Sequence, residues 1–360
     1  MLQTISKKLD FTGENIYAGF DVHKKSWRVT IMTERLTHKT FVQPPSPQVL
    51  VNYLKHHFPS GTYHSAYEAG FCGFWIHQEL KKLGVHSIVV NPADIPTSQK
   101  EIVQKEDRRD SSKIARGLRN GDLRAIHVPE QKRLEDRSLL RMRHAIVNDL
   151  VRYKLRIKSF LYFYGIEIPS GYTKTEGYWS KGLINWLKTV ELTQPTGKLA
   201  LGMLIRESES LRASVLETTR YVQDLSRSED YREKVALLRT IPGIGLIVSM
   251  TLLTELDDIK RFPSTDDLCS FIGFVPKMHS SGEQEKHGDI TYRASEYLRK
   301  LLIESAWVAA RRDPALMKSY HDYCKRMHPN KAIVRIARKL VNRIKYVLRT
   351  NQPYVSSKIN

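Results

Sequence analysis

Short runs of apolar and β-branched residues dominate the chain up to about residue 90, and longer segments with helical spacing fill most of the remainder. The first three runs are joined by short polar connections, which predicts an antiparallel meander. Helical and strand-like segments then alternate. Val51 and Leu54 share one face of the first predicted helix, and Pro92 ends the last predicted strand. The predicted strands are 16–22, 27–32, 39–42, 63–68 and 85–90, and the predicted helices are 48–58 and 74–83.

Three strands followed by alternating helix and strand predict an α/β domain of the RNase H-like type, although periodicity alone leaves another α/β fold open. Gly19 in the first strand lets another backbone approach closely. The same strand ends on Asp21, a carboxylate that is costly to bury unless it is paired or holds a cation. The fourth strand ends on Glu68. Asp107 and Asp110 would share one face of a helix, but taken alone this pair is better explained as an exposed first helical turn.

The middle of the chain carries a heptad pattern. Apolar residues recur every seventh position between residues 131 and 165, with many Arg and Lys between them, which is typical of a coiled coil. A second heptad-like run at 211–225 predicts a partner helix, so the two could form an antiparallel hairpin that serves as a spacer or dimerisation arm. An ordinary helical core has equal weight. The predicted seams are Leu139, Ile146, Tyr153 and Phe160, and Leu150, Ile157 and Tyr164.

The last third contains two candidate contacts to nucleic acid. Residues 240–245 have the pattern of a helix–hairpin–helix turn, in which Gly243 and Gly245 permit a tight turn and the following backbone N–H groups accept a phosphate. A tight helix connection is the plainer interpretation, and the basic charge of the chain favours DNA contact. Residues 331–349 form a strongly amphipathic segment whose one-signed polar face suits a phosphate backbone, although such charges are ordinarily just solvated. The basic residues on that face are Lys331, Arg335, Arg338, Lys339 and Arg349.

Composition and charge narrow the function classes. The 58 Lys and Arg residues against 38 Asp and Glu residues give a net charge of +20. The excess is spread along the chain, which favours nucleic acid over a membrane surface as the partner. No apolar run approaches the roughly 20 residues that span a bilayer, and residues 1–10 lack the apolar core of a signal peptide. The three cysteines have no metal-type spacing, which indicates a reducing compartment.

The ordered set of motifs resembles the DEDD-type transposases of bacterial insertion sequences, relatives of the Piv-like site-specific DNA invertases, some of which are guided by a bridge RNA. Each motif is weak alone, whereas their order along the chain is specific. The resemblance extends from Tyr17 to about Arg349. The motifs lie at residues 19–24, 67–70, 105–110, 241–245, 273–276, 280–282 and 331–334.

The resemblance implies a domain organisation. Residues 1–125 would form a RuvC-like catalytic domain, 126–230 a coiled-coil linker with an inserted loop region, and 231–350 a mainly helical transposase domain, followed by a tail at 351–360. It also implies donor and target DNA, a bridge RNA and further copies of the chain (a dimer or a tetramer) as partners, in the bacterial cytoplasm at the nucleoid and without a membrane.

The resemblance further implies the residues of the site. Four carboxylates would bind Mg²⁺ or Mn²⁺, and their hard oxygens suit a cation that polarises a phosphodiester and stabilises the departing oxygen. The serine nucleophile falls on Ser281, with the adjacent Ser280 as the alternative. Attack by a serine conserves the bond energy in a phosphoserine link, which strand exchange needs and hydrolysis does not. The carboxylates are Asp21, Glu68, Asp107 and Asp110.

Two departures from the family pattern affect this site. Glu106 stands where the family usually has threonine, so it could join or perturb the metal site, and Ser111 stands where the family has alanine. The usual Ile-Thr-Lys-x-Gly after the serine is Ile-Thr-Tyr-Arg-Ala here, so that its basic role would pass to Arg293. Two other functions stay open: a RuvC-like nuclease that hydrolyses branched DNA with metal-activated water, and a non-catalytic nucleic-acid-binding protein.

Overall fold

The computed structural model describes residues 10–95, 107–173, 179–281, 284–290 and 294–356, without the side chains of 107–109 and 276–290. The chain divides into two compact units, Met1–Val128 and Pro129–Asn360. The finer division into catalytic domain, linker and transposase domain remains a prediction.

The first unit contains a five-stranded sheet in the order β3-β2-β1-β4-β5. Strands β1, β2 and β3 form the predicted antiparallel meander, and β4 and β5 continue the sheet parallel to β1. The predicted strands and helices up to residue 90 are confirmed to within two residues at each end. The strands are β1 (Asn15–Val22), β2 (Trp27–Thr33), β3 (Thr37–Gln43), β4 (Thr62–Glu68) and β5 (His86–Val90), and the helices are α1 (Pro47–His57), α2 (Trp75–Lys82) and α3 (Asp107–Asn120).

Helices cover both faces of this sheet. On one face Phe20 stacks on Trp27 and on Tyr67, at ring-centroid distances of 5.3 and 5.2 Å, in a core that includes buried residues of α1 and α2. On the other face Ile114 of α3 packs with Ala66 of β4. The predicted mixed α/β architecture of the first part of the chain is therefore confirmed.

The second unit begins with two long helices that pack against each other. Helix α4 (Gln131–Phe163) is followed by the short helices α5 (Ser170–Thr173) and α6 (Lys181–Thr189), and α7 (Pro195–Leu225) returns along α4. The two helices are antiparallel, because Leu140 shares one apolar cluster with Val222 whereas Ile157 shares another with Leu201. Among the predicted seam residues Ile157 is fully buried, while Tyr164 is half exposed. The coiled-coil interpretation remains a prediction.

The rest of the second unit is a helical bundle with one apolar core and one two-stranded hairpin. The sequence predicts no strands here, because the two strands of the hairpin lack alternating apolar residues. The last helix is amphipathic as predicted, with Ile336, Leu340 and Ile344 buried. These elements are α8 (Arg232–Leu238), α9 (Leu246–Leu256), α10 (Thr265–Ile272), β6 (Pro276–Ser281), β7 (Gln284–Ile290), α11 (Glu296–Arg312), α12 (Pro314–Cys324) and α13 (Pro329–Thr350). Within the described ranges, no helix has both the length and the apolar character needed to cross a bilayer.

Candidate active site and nucleic-acid contacts

The register of β1 and β4 brings two of the predicted site carboxylates together. Phe20 pairs with Tyr67 on these parallel strands, and Asp21 and Glu68 are the next residues along each strand. Because side chains alternate between the two faces of a strand, both carboxylates lie on the face opposite the Phe20–Tyr67 stack. Asp21 and Glu68 therefore lie side by side at the carboxyl-terminal edge of the sheet, as neighbours on the face covered by α3.

Gly19 determines how closely α3 approaches this face. A Cβ atom at Gly19 would lie 2.6 Å from the carbonyl oxygen of Ser111 and 2.6 Å from the Cα atom of Ala115. Both contacts are with helix backbone, which cannot move aside as a flexible side chain could. The prediction that Gly19 admits another backbone is therefore confirmed, and the backbone is that of α3.

The direction of α3 places its first turn at the carboxylate edge. Ser111 and Ala115 lie against Gly19, whereas Arg119, farther along the helix, lies near enough to Tyr17 for its charge to act on the Tyr17 hydroxyl. The helix thus runs antiparallel to β1, and its first turn lies toward Asp21. Asp110 belongs to that turn, and the helix begins at Asp107, whose side chain is outside the described part of the structure.

A buried hydroxyl pair fixes the same turn to the sheet. The Ser111 and Thr30 hydroxyls are 2.9 Å apart, and both side chains are fully buried. The Thr30 hydroxyl also lies 2.9 Å from that of Thr40 and 3.2 Å from that of Ser112. Ser111, one of the departures from the family pattern, is therefore hydrogen-bonded to the sheet and anchors the helical turn that carries Asp110.

Two basic side chains contact the carboxylates. The Nε2 atom of His23 lies 3.0 Å from Oδ2 of Asp21, and Nζ of Lys113 lies 3.8 Å from Oδ1 of Asp110. His23 lies within the motif at residues 19–24, but the sequence pattern predicts no role for His23 or for Lys113. The signal for Lys113 is its position three residues after Asp110, on the same side of the helix.

Among the side chains that the structure describes, no group of three or more His, Cys, Asp or Glu residues is arranged to hold a metal ion. Asp21, Glu68 and Asp110 are within that described set, whereas the side chain of Asp107 is not. Glu106 also lies outside the described residues. The four-carboxylate metal site therefore stays a prediction.

The predicted nucleophile ends a strand of the second unit. Ser281 pairs with Gln284 and Ser280 with Glu285 across β6 and β7, so both serines lie at the turn end of this hairpin. The side chains of both are outside the description, as is Arg293. The structure thus places the backbone of Ser281 at the turn and does not choose between the two serines.

The strand that leads to Ser281 is attached to the bundle by arginines. The guanidinium of Arg338 donates hydrogen bonds to the carbonyl of Phe274 (3.1 Å) and to Asp266 (2.8 Å). Arg299 donates to the carbonyl of Gly273 over 3.4 Å. Both carbonyls precede β6, so these side chains fix the base of the hairpin. Arg338, which is predicted to contact nucleic acid, therefore binds two groups of the protein itself, the Phe274 carbonyl and the Asp266 carboxylate.

The glycines of the 240–245 turn have different surroundings. Gly243 has φ +90°, and a Cβ atom there would strike the Ser305 carbonyl oxygen and lie 3.1 Å from the Ala309 nitrogen. Close packing of α11 therefore accounts for Gly243. Gly245 is the N-cap residue of α9, and a Cβ atom there would meet open space. Phosphate contact at this turn remains a prediction.

The other predicted basic residues lie on the exposed side of α13. Lys331, Arg335 and Lys339 are exposed, and the charged groups of Arg335 and Lys339 stand 5.6 and 5.9 Å from the ring centroid of Tyr323. Lys345, farther along the helix, is buried and donates to the carbonyl of Pro263 at 2.8 Å. Lys331, Arg335 and Lys339 therefore lie at the surface of α13, whereas Arg338 and Lys345 bind other parts of the bundle. Arg349, also predicted on this face, is exposed and donates to the carbonyl of Pro263 at 3.5 Å.

Two family models match the chain. A model of DEDD transposases of the IS110 type, described as Transposase, matches residues 18–166, and one described as Transposase IS116/IS110/IS902 family matches residues 235–322. The first match spans the carboxylate edge, and the second spans the serine hairpin.

Individual relatives point the same way. The chain is similar to the transposase for insertion sequence element IS1533 of Leptospira borgpetersenii, with 27% identity over 303 residues, covering 81% of this chain and 84% of that protein. It is 31% identical over 241 residues to the y4qE protein of Sinorhizobium fredii, covering 67% of this chain and 57% of that longer protein. A pilin gene-inverting protein of Moraxella bovis is 31% identical over 139 residues, 37% of this chain and 42% of its own length.

These matches define the class of protein as a DEDD-type transposase. The chain belongs to the IS110/IS116 family of insertion-sequence transposases.

Proposed function

We propose that this protein cuts and rejoins DNA strands as the recombinase of an insertion sequence, using the carboxylates Asp21, Glu68, Asp107 and Asp110 together with the nucleophile Ser281. The observation that carries the proposal is the pairing of β1 with β4, which sets Asp21 beside Glu68 at the edge where the first turn of α3 lies. The order and directions of the five strands support a RuvC-like, RNase H-like domain around that edge.

The donor chemistry of this edge fits a divalent cation. Aspartate and glutamate oxygens are the ligands that Mg²⁺ and Mn²⁺ prefer, and Asp21 and Asp110 are partly buried rather than freely solvated. A bound cation supplies charge that polarises the phosphodiester and stabilises the departing oxygen. The carboxylates of this chain would hold the cation, and α3, fixed by Gly19 and Ser111, carries two of them, Asp107 and Asp110.

The serine would perform the covalent step. The Ser281 hydroxyl oxygen attacks the phosphorus, its proton passes to a base, and the bond from phosphorus to one bridging oxygen of the DNA breaks. The released DNA oxygen takes up a proton. A DNA hydroxyl from another strand then attacks the phosphoserine, regenerates the serine and rejoins the strands, which needs no external energy source.

The partners follow from the same chemistry. Exchange between two duplexes requires donor and target DNA, and cutting four strands with one serine per chain supports an assembly of several copies. The bridge RNA belongs to the proposal through the family resemblance, and the net charge of +20 suits RNA and DNA alike. The pilin gene-inverting relative supports DNA rearrangement as the reaction class.

An assay of recombination with matched variants tests this function. The protein, with any RNA that co-purifies, is incubated with donor and target DNA and Mg²⁺, and joined products are measured by amplification across the new junction. We expect Asp21→Asn, Glu68→Gln and Ser281→Ala to abolish junctions. Asp122→Asn, an exposed carboxylate of the same unit, should leave them unchanged.

The same assay separates the alternatives. Loss of junctions in Ser280→Ala with retention in Ser281→Ala would move the nucleophile by one residue. DNA cleavage that survives in Ser281→Ala but needs Asp21 would indicate the hydrolytic nuclease. Wild-type levels of junctions in Asp21→Asn would contradict the metal-site proposal.

A further inference from the structure

A pocket between α4, α6 and α7 in the second unit lies outside the elements that carry the proposed catalytic residues. Its volume is about 700 Å³, within the range of small-molecule sites. Its walls combine an aromatic residue, three basic residues and an apolar floor. The lining residues that matter here are Lys154, Trp179, Lys181, Glu209 and Arg212.

The aromatic wall of the pocket is held in an unusual backbone conformation. Trp179 has φ +58°, in the left-handed region that bulky residues rarely adopt. Such residues persist where the surroundings over-determine them, and they concentrate at binding sites. Here the guanidinium of Arg212 donates a hydrogen bond to the Trp179 carbonyl at 3.2 Å, and the ammonium of Lys154 stands 5.4 Å from the ring centroid. Two cations thus hold one strained tryptophan at the pocket wall.

The charge of the pocket is strongly one-sided. Lys154, Lys181 and Arg212 face a single acidic lining residue, Glu209, which lies 2.8 Å from the ammonium of Lys188. Burial, and then the charge of Arg212, lowers the pKa of Lys154. An anion placed between these cations would relieve their mutual repulsion.

We propose that this pocket binds one unpaired nucleotide of a nucleic-acid strand, with its base stacked at Trp179 and its phosphate between Lys154 and Arg212. An aromatic wall with flanking cations is the combination that holds single-stranded nucleic acid, because every base has a π-face and every linkage a negative charge. The apolar floor accepts the flat face of the base, and the open side admits the strand on either side of the nucleotide. The site is separate from the proposed strand-transfer chemistry and does not need it.

Binding of fluorescein-labelled single-stranded oligonucleotides to the full chain tests the proposal. Anisotropy is measured in EDTA, so that failure of the proposed metal chemistry does not affect the result. We expect Trp179→Ala to weaken binding by about tenfold, the usual effect of removing one stacking platform, and Trp179→Phe to retain most of it. Lys154→Ala should also weaken binding, whereas Arg220→Ala, an exposed cation of α7 outside the pocket lining, should change it less than about twofold.

Two further arms identify the ligand. An abasic oligonucleotide of equal length keeps the phosphates and lacks the bases, so we expect its affinity to be insensitive to Trp179→Ala. A 5-bromodeoxyuridine oligonucleotide should photocrosslink to the peptide that contains Trp179, and an RNA strand of the same sequence shows whether either sugar is accepted.

The proposal fails if Trp179→Ala, folded by circular dichroism, binds the single strand as tightly as the wild type. It also fails if crosslinks are absent from that peptide. If a free nucleoside monophosphate displaces the oligonucleotide at the same nucleotide concentration, the ligand of the pocket is a free nucleotide and not a nucleotide within a strand.

Discussion

The carbonyl oxygen of Ser111 lies so close to Gly19 that a Cβ atom on Gly19 would stand 2.6 Å from it. This contact joins the start of α3 to the middle of β1, two residues before Asp21. The Ser111 hydroxyl adds a hydrogen bond to Thr30 on the neighbouring strand. The position of Asp110 relative to Asp21 and Glu68 therefore depends on a residue that has no side chain.

Replacing Gly19 by alanine should displace α3 and damage the carboxylate edge. Because the clash is with helix backbone, we expect an overpacking cost of about 3 kcal/mol in the free energy of unfolding, measured by urea denaturation, together with loss of recombination. Gly70→Ala is the matched control, since a Cβ atom there meets nothing within 4 Å. An alanine variant with wild-type stability would contradict the close approach of α3.

An ion pair between the exposed Arg141 and the buried carboxylate of Glu255 joins α4 to α9. The guanidinium of Arg141 donates two hydrogen bonds to Glu255, at 2.7 and 2.9 Å, and Glu255 is only 5% exposed. Glu255→Gln removes the counter-charge of Arg141 and of the more buried Arg137, which lies 4.0 Å from the Glu255 carboxylate. We therefore expect the free energy of unfolding to fall by about 2 kcal/mol. Glu296→Gln removes an exposed pair with Lys300 and should have no measurable effect. Equal effects of the two substitutions would contradict this account.

The basic residues of α13 should separate into two groups. Lys331→Ala and Lys339→Ala should each lower the slope of log binding constant against log salt for duplex DNA by about one, with unchanged thermal stability. Arg338→Ala should instead lower the melting temperature, because it releases the Phe274 carbonyl and Asp266. Titration of DNA binding against salt measures the slope, and calorimetry of each variant measures the melting temperature. An unchanged melting temperature in Arg338→Ala would contradict the structural role of Arg338 and favour its predicted role as a phosphate contact.

The hydroxyl of Tyr354 should make stability fall at alkaline pH. Burial, and then its hydrogen bond to Asp313 at 2.6 Å, raises the pKa of Tyr354 to about 12. The pKa of Tyr354 in the folded protein is higher than its unfolded value of about 10. The contribution of the hydroxyl to the free energy of unfolding is therefore complete below about pH 10 and is lost as the pH rises toward 12. The stability difference between wild type and Tyr354→Phe, from urea denaturation, should therefore shrink across that window. A difference that is the same at neutral pH and above pH 11 would contradict it.

Much of the first unit could be predicted because its pattern is local. Strands such as β2 are short apolar runs between polar turns, and α1 begins with Ser46 at its N-cap and Pro47 in its first turn. The position of Asp21 next to Glu68 follows from the register of the two strands, once β1 and β4 are parallel neighbours. The contact between Gly19 and α3 could be anticipated only as some close backbone approach, since the sequence does not name the partner.

Other parts depend on contacts that sequence does not encode locally. The β6–β7 hairpin has polar strands, so its pairing is not visible as alternation. Gly243 and Arg338 look like nucleic-acid contacts in a basic chain, yet Ser305 and Phe274 explain them through packing that is remote in sequence. Trp179 carries no motif, and its significance depends on its backbone angle and on Lys154 and Arg212.

The most direct test of strand transfer by Ser281 is to trap the covalent intermediate and find the residue that holds the DNA. The protein is incubated with Mg²⁺, with any RNA that co-purifies and with a donor DNA nicked next to the cleavage site. The reaction is stopped by denaturation, the protein is digested, and the DNA-linked peptide is sequenced by mass spectrometry. We expect a phosphoserine bond at Ser281 in the wild type, and no adduct in Ser281→Ala or Asp21→Asn. Recovery of cleaved DNA with only free hydroxyl and phosphate ends would contradict it.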